Sequence, residues 1–304
     1  MGLGKTVQML AMMCRNPLKT LVVAPKSLVE QWRQQFDQFT SFDVVHLYQT
    51  MGSVNDVLEA IATSAVCVCT YEFAVKFDFR DASFERIILD EAHRIRNKKS
   101  KTHARIVALS TRVRWAVTGT PLLSRRRDVS ALLGWISPHA EARVADIMLR
   151  RTFEDLGGER VKLPPCDFKT HVVDLSPREK SVYNSIIQEG KKTGYSDGDH
   201  VLRTLFKLQQ CLLSLDFVGE ACIGVGSKVL RLMDIAAVED VKRLLVFTHH
   251  RNELDVVATA CEHSGCRVQT LDGQTSCIDR GYASRWFNST CETERRALVT
   301  NMSV

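Results

Sequence analysis

Ten cysteines are scattered through the 304 residues, yet no Cys-x-x-Cys pair occurs and no His-x-x-x-His stands ready to partner one. Neither a zinc site nor a disulfide framework is therefore expected. No apolar run reaches the roughly 18 to 20 residues that crossing a bilayer requires, which gives no basis for a membrane partner. The first residues lack the basic-then-apolar plan of a secretory signal, so the expectation is a soluble intracellular chain. Repeats of solenoid period and low-complexity tracts are missing as well. With 45% hydrophobic and 25% charged residues the chain is not a disordered one, and its length suits two compact lobes.

Acid is missing locally. The stretch RIRNKKSKTHAR (94–105) carries Arg94, Arg96, Lys98, Lys99, Lys101 and Arg105 with no carboxylate, and Arg125, Arg126 and Arg127 form a second cluster. The overall charge of +6 is modest and suits a nucleic-acid partner without demanding one. A single short basic run is most simply a solvated face; its place in the chain is what gives it more weight.

Short apolar runs alternate with amphipathic stretches: TLVVAP (20–25), AVCVCTY (65–71), RIILDEAH (86–93) and RWAVTGTP (114–121), with SLVEQWRQQFDQF helical between the first two. Strands apolar throughout imply a parallel sheet covered on both faces, hence an α/β fold. Cys67 and Cys69, two apart, fall on one strand face as buried thiols. From about 140 the pattern is mostly helical, through EARVADIMLRR, PREKSVYNSIIQEGKK and HVLRTLFKLQQCLLSL. Ser176, Pro177 and Glu179 spell a capping box, and GKKTGYSDGDH (190–200) reads as a loop. Alternation resumes from Ser227 with a helix over KVLRLMDIAAV, strand RLLVFTHH, helix ELDVVATACEHSG closed by Gly265, and strands RVQTLDG and RALVTNMSV. The division is 1–139 for a first lobe, 140–226 for a helical middle and 227–304 for a second lobe. The final strand is expected to lie at an unpaired edge, prone to aggregation.

The chain opens MGLGKT. Gly4-Lys5-Thr6 has the form of the end of a phosphate-binding loop, and Asp90-Glu91 stands where an acidic pair at a strand's carboxyl end should. Each residue type answers a need: Lys5 neutralises β- and γ-phosphate charge, Thr6 offers a hydroxyl to Mg²⁺, Asp90 holds that ion through water, and Glu91 polarises the attacking water.

MGLGKT, APKSLVEQW (24–32), TYE (70–72), DEAHRIRN (90–97) and TGTPLL (118–123) occur in the order found in the Swi/Snf-type ATPases of helicase superfamily two, and the chain resembles that family. The likeness continues through LLGWISP, MLRRT, LSPREKSVYNSI, LFKLQQC, SKVLRL, LLVFTHH, LDGQTS and RWFN. The resemblance implies two RecA-like lobes with parallel sheets, ATP and Mg²⁺ between them, and double-stranded DNA lying across both, with chromatin or a DNA-bound protein as a further partner. It assigns Gly2, Gly4, Lys5 and Thr6 to the phosphates, and Asp90 and Glu91 to the metal and water. His93 would link the nucleotide to Thr118 and Thr120, which relay its state towards DNA. Lys98, Lys99 and Lys101 would neutralise DNA phosphates without sequence preference, with Thr70 and Thr248 as further contacts. In a eukaryotic cell the place of action would be the nucleus.

Departures from the family pattern bear on these roles. Leu123 and Ser124 stand where the family has Gln-Asn. By the resemblance, the strand that holds the phosphate loop and the glutamine that grips adenine lie upstream of Met1, and the arginines of the sixth motif lie beyond Val304. The expectation is a chain truncated at both ends, its second lobe incomplete, with little or no ATP hydrolysis of its own; the alternative is an inactive remnant that binds DNA or protein. An RNA helicase or restriction motor shares DEAH and TGTP but not the RIRN and LSPREKSVYNSI segments. Arg150 and Arg151 match linker helices and are no arginine finger. His249 and His250 suit a DNA-facing or solvent position better than a metal, and Trp32, Trp115, Trp135 and Trp286 read as core.

Overall fold

The computed structural model describes residues 2–47, 52–80, 82–120, 126–137, 147–152, 155, 165–192, 198–220, 225–238, 241–290 and 293–301, without the side chains of 126–128, 198 and 199. The chain divides into two compact units, Met1–Pro165 and Cys166–Val304. The helix expected over EARVADIMLRR falls largely on residues outside the described ones, as do Pro121 to Arg125.

In the first unit the elements run α1 (Lys5–Arg15), β1 (Thr20–Ala24), α2 (Val29–Phe39), β2 (Val44–Leu47), α3 (Val54–Thr63), β3 (Val66–Thr70), α4 (Tyr71–Lys76), β4 (Arg86–Asp90), a 3₁₀ turn (Ala92–Ile95), α5 (Lys101–Val107), β5 (Val113–Val117) and α6 (Arg126–Ile136). The strands form one sheet in the order β2-β3-β1-β4-β5, and every pairing is parallel. Strands β1, β3 and β4 are buried along almost their whole length, as continuous apolar strands covered on both faces must be. Cys67 and Cys69 are fully buried within β3, and burial pushes the Cys67 thiol up to about 12. The edge strand β5 departs from the expectation: Trp115 is 39% exposed, because an edge strand has no neighbouring strand and helix on its outer side to cover it. Strand β2 was not foreseen; VVHL is four residues long and too short to carry a periodic signal.

The second unit begins with a helical pair, α7 (Pro177–Lys192) and α8 (Gly198–Cys211), and continues through a 3₁₀ turn (Leu215–Val218), α9 (Ser227–Ala237), β6 (Arg243–Thr248), α10 (Glu253–His263), β7 (Arg267–Leu271), α11 (Cys277–Asn288) and β8 (Arg296–Asn301). Of the stretch 190–200 expected as a loop, helix takes the residues up to Lys192 and from Gly198 on, and residues 193–197 lie outside the described ones. Its strands pair in parallel in the order β6-β8-β7. The last strand is therefore central and fully buried, not an edge. The edge strands are β6 and β7; β6 half-buries one face and leaves Phe247 61% exposed on the other. Gly265 takes φ +82° where α10 ends, the left-handed closure that glycine adopts without strain.

The capping box at Ser176 forms and does more than cap. Ser176 N donates to Glu179 Oε2 at 2.8 Å and Glu179 N to Ser176 Oγ at 3.3 Å. The same carboxylate accepts from Ser227 N at 2.7 Å and from the Ser227 hydroxyl, so it serves the first turns of both α7 and α9. Burial alone would raise the Glu179 carboxyl, but the donors from Ser227 and Ser176 outweigh it and hold the group below the usual glutamate range. Glu179→Ala removes three hydrogen bonds to a residue only 4% exposed, at about 1 kcal/mol each or roughly 3 kcal/mol in all. A urea titration should show that loss. Because the folded-state carboxyl is depressed, its stabilisation is present above the ordinary glutamate range and lost as pH falls through the depressed value. The variant should accordingly lose its deficit in acid.

Candidate functional site

The carboxyl ends of parallel strands carry the candidate residues, the edge where open α/β sheets place their ligands. Register does the assembly. Asp90 pairs with Val117 across β4 and β5, which sets the next residues, Glu91 and Thr118, side by side. Thr118 Oγ1 lies 3.4 Å from Glu91 Oε2 and donates to it. His93, one turn on, brings Nδ1 to 3.1 Å from the same carboxylate oxygen and 3.3 Å from Thr118 Oγ1; with its proton on Nδ1 it donates to Glu91. Thr120 N donates to Thr118 Oγ1 at 3.1 Å. Four of the expected residues thus form one connected network.

Asp90 sits apart from them, buried at the strand end. Trp32 Nε1 donates to its Oδ2 at 2.8 Å, and Glu91 N to its Oδ1 at 2.9 Å. The Tyr71 hydroxyl donates to the Asp90 backbone carbonyl at 2.8 Å. Burial raises the Asp90 carboxyl above the usual range, while the Trp32 and Glu91 donors and the Lys5 ammonium pull it back only in part. Trp32 is indeed core, as read, yet its indole also holds an acidic site residue. Neither Trp32 nor Tyr71 was expected to do so; the available signal was that a buried indole N–H or phenol needs a partner.

Glu91 has φ +47° and ψ +51°, and among the described residues it alone takes positive φ without being glycine. Such a conformation costs on the order of 1–3 kcal/mol and persists only where the surroundings impose it. Here it turns the chain sharply, so that the Glu91 side chain leaves the sheet and meets His93 and Thr118.

At the start of the chain Gly2 and Gly4 take φ +76° and +71°. Gly4 is the N-cap of α1, followed by Lys5 and Thr6 in its first turn, with no acidic residue there. The unpaired N–H groups of that turn suit an anion, and the effect of Lys5 on Asp90 links this helix end electrostatically to the acidic pair. A carboxylate has about four acceptor positions, and two at Asp90 are taken by named donors, leaving room for water that coordinates a cation.

Lys98 and Lys99 are exposed in the turn before α5, and Lys101 is exposed at its first position. Nearby lies a groove of about 640 Å³, lined in part by Lys76, His93, Arg94, Arg96, Asn97 and Ser100. Arg94 is held by Glu72 at 3.1 Å and sits over the Tyr71 ring, 5.5 Å from its centroid. Thr70 caps α4, its hydroxyl accepting from Phe73 N at 3.1 Å. Thr248 is 4% exposed and its hydroxyl donates to the His250 carbonyl at 3.3 Å. In the same unit His249 N and His250 N both donate to Glu253 Oε2.

Residues 1–144 match the family described as SNF2-related domain. This segment, just under half of the chain, is similar to that family. Beyond it, the chain is 26% identical over 95% of its length to the mouse (Mus musculus) SWI/SNF-related matrix-associated actin-dependent regulator of chromatin subfamily A member 1. It is also 26% identical over 71% of its length to the DNA repair protein rad8 of Schizosaccharomyces pombe, and over 66% to the DNA repair protein RAD5 of Kluyveromyces lactis. It spans 33%, 25% and 22% of those three proteins. Among solved structures, the Sulfolobus solfataricus SWI2/SNF2 ATPase core in complex with dsDNA aligns with 99% of the chain and 72% of its own length, at 20% identity and a TM-score of 0.48. Within the matched residues 1–144 lie all the expected nucleotide-side residues: Gly2, Gly4, Lys5, Thr6, Asp90, Glu91, His93, Thr118 and Thr120.

Asp90→Asn separates stability from site chemistry. A carboxyl raised by burial favours the fold below the ordinary aspartate range, and that advantage is lost as pH rises through the raised value. At pH 7 the substitution should therefore increase the melting temperature by about 2 °C. At pH 4 the difference should shrink, which melting curves across pH will read.

Proposed function

We propose that the chain forms part of the ATP-dependent motor of a double-stranded DNA translocase, an ATP hydrolase of the helicase-like Swi/Snf type. The observation that carries this reading is the convergence of His93 and Thr118 on the Glu91 carboxylate, beside the buried Asp90. Supporting it are the glycine-built helix start and the SNF2-related domain match.

Thr6 and Asp90 would hold Mg²⁺, which when bound neutralises charge on the β- and γ-phosphates. Amides at the start of α1, with Gly2 and Gly4 supplying the turn, cradle the phosphates. Lys5 adds a positive charge to them. Glu91 orients the attacking water and accepts its proton, while His93 and Thr118 keep the carboxylate from swinging away. Thr120 follows Thr118 through its backbone bond, a short path from the reacting centre to the loop beyond β5. Lys98, Lys99 and Lys101 bind duplex phosphates, with Thr70 close by on the α4 start. A chromatin or DNA-repair setting, and the nucleus in a eukaryotic cell, are inferred from the names of the relatives.

Fluorescent Mg·ATP analogue binding tests the nucleotide half. Lys5→Ala should weaken it at least about tenfold, since it removes a charge-assisted contact to phosphate. Charge reversal at Lys98, Lys99 and Lys101 should leave nucleotide binding intact while lowering the salt slope of duplex binding by roughly 1 per lysine. A chain that binds no nucleotide, or whose binding ignores Lys5→Ala, sinks the proposal. Stimulation by single-stranded RNA above duplex DNA would move it to an RNA helicase.

A further inference from the structure

Arg86 has no part in the nucleotide chemistry, yet it is among the largest wholly buried side chains described. It opens β4, where it pairs with Thr20 of β1 and Val113 of β5. No carboxylate forms a described ion pair with it; its neighbour Glu85 is exposed and accepts from Lys19 N. Instead Nη2 donates to the Asn16 carbonyl at 2.7 Å and Nη1 lies 3.5 Å from Thr20 Oγ1, while Nε has no partner. A buried guanidinium so thinly served is costly unless something else offsets its charge.

Asn16 is the C-cap of α1. The last carbonyls of a helix lack intrahelical partners; Arg86 donates to the carbonyl of the cap residue, while Glu85 beside it in the chain favours its charge. Strand β4 thereby holds the C-terminal end of α1. At its first residue it grips the helix C-terminus; about 13 Å away, four residues along at roughly 3.3 Å each, Asp90 feels the charge of Lys5 at the helix N-terminus. The helix itself is about 16 Å long by its rise per residue, and it buries only Leu10 and Met13 among its side chains.

We infer that Arg86 is a positioning residue: by tying the C-cap of α1 to the start of β4 it fixes how far the phosphate loop stands from the acidic pair at the other end of that strand. The inference rests on the phosphate-loop reading of Gly4-Lys5-Thr6. It assigns Arg86 no contact with nucleotide or metal.

Two measurements on the full chain decide it. Arg86→Met keeps the bulk and removes the charge, and Arg86→Lys keeps the charge and one donor. In the methionine variant, amide hydrogen exchange should quicken about tenfold across residues 5–15 while the amides of β1, β3 and β4 keep their protection. Mg·ATP analogue affinity should fall roughly tenfold, as small misplacements of a binding group can cause, and Arg86→Lys should restore most of both. Unchanged exchange in α1 overturns the inference whatever the nucleotide does. So does loosening of α1 and the sheet together with affinity unaltered, which is the signature of a merely structural role. If α1 loosens alone but the unsubstituted chain binds no nucleotide, the phosphate-loop reading is what fails, and the positioning role falls with it.

Discussion

A carboxylate taken out of water must find its stabilisation in fixed dipoles, and Asp90 sets that requirement at the end of strand β4. Its two oxygens face an indole N–H and a backbone N–H, and its carbonyl faces a phenol. Each donor comes from a different element: Trp32 from α2, Tyr71 from α4, and Glu91 from the turn after the strand. The apolar burial of β1, β3 and β4 brings these elements together. Loss of the Trp32 or Glu91 donor would leave a charge that the sheet cannot solvate, and loss of the Tyr71 donor a buried carbonyl without that partner.

The same constraint shapes the residues beyond Asp90. A strand that ended in ordinary extended conformation would carry Glu91 onward along the sheet edge. The left-handed turn at Glu91 diverts it sideways, towards the neighbouring strand end, where the β4–β5 register has already placed Thr118. Local strain is thus the cost of convergence. The edge position of β5 leaves that side of the sheet open, as the exposure of Trp115 shows.

Much of this could be read from the residues themselves. Long apolar runs located β1, β3 and β4 because burial on both faces writes an unbroken hydrophobic string, and Ser176 with Glu179 announced a helix start because the chemistry is local. What was not legible depends on pairing order. Nothing in RALVTNMSV distinguishes a central strand from an edge, so β8 was misplaced, and Trp115 and Phe247 face solvent only because β5 and β6 lie at the borders. Glu91, His93 and Thr118, named from ordered motifs, lie together in the structure, whereas Trp32 and Tyr71 looked apolar and hid a donor apiece. Thr248, a polar residue at a strand end, likewise carries a bond that its sequence does not announce, to the His250 carbonyl.

The shared carboxylate of Glu179 has a topological meaning beyond capping. Glu179 and Ser227 are 48 residues apart, and their bond closes everything between them into a loop with a fixed neck. That loop is filled, not slack: Leu208, Cys211 and Leu215 within it are buried together with Ile186 of α7. Glu179 closes the neck of a small core of its own, and the two helix starts it joins are held from outside by its carboxylate and from inside by that packing.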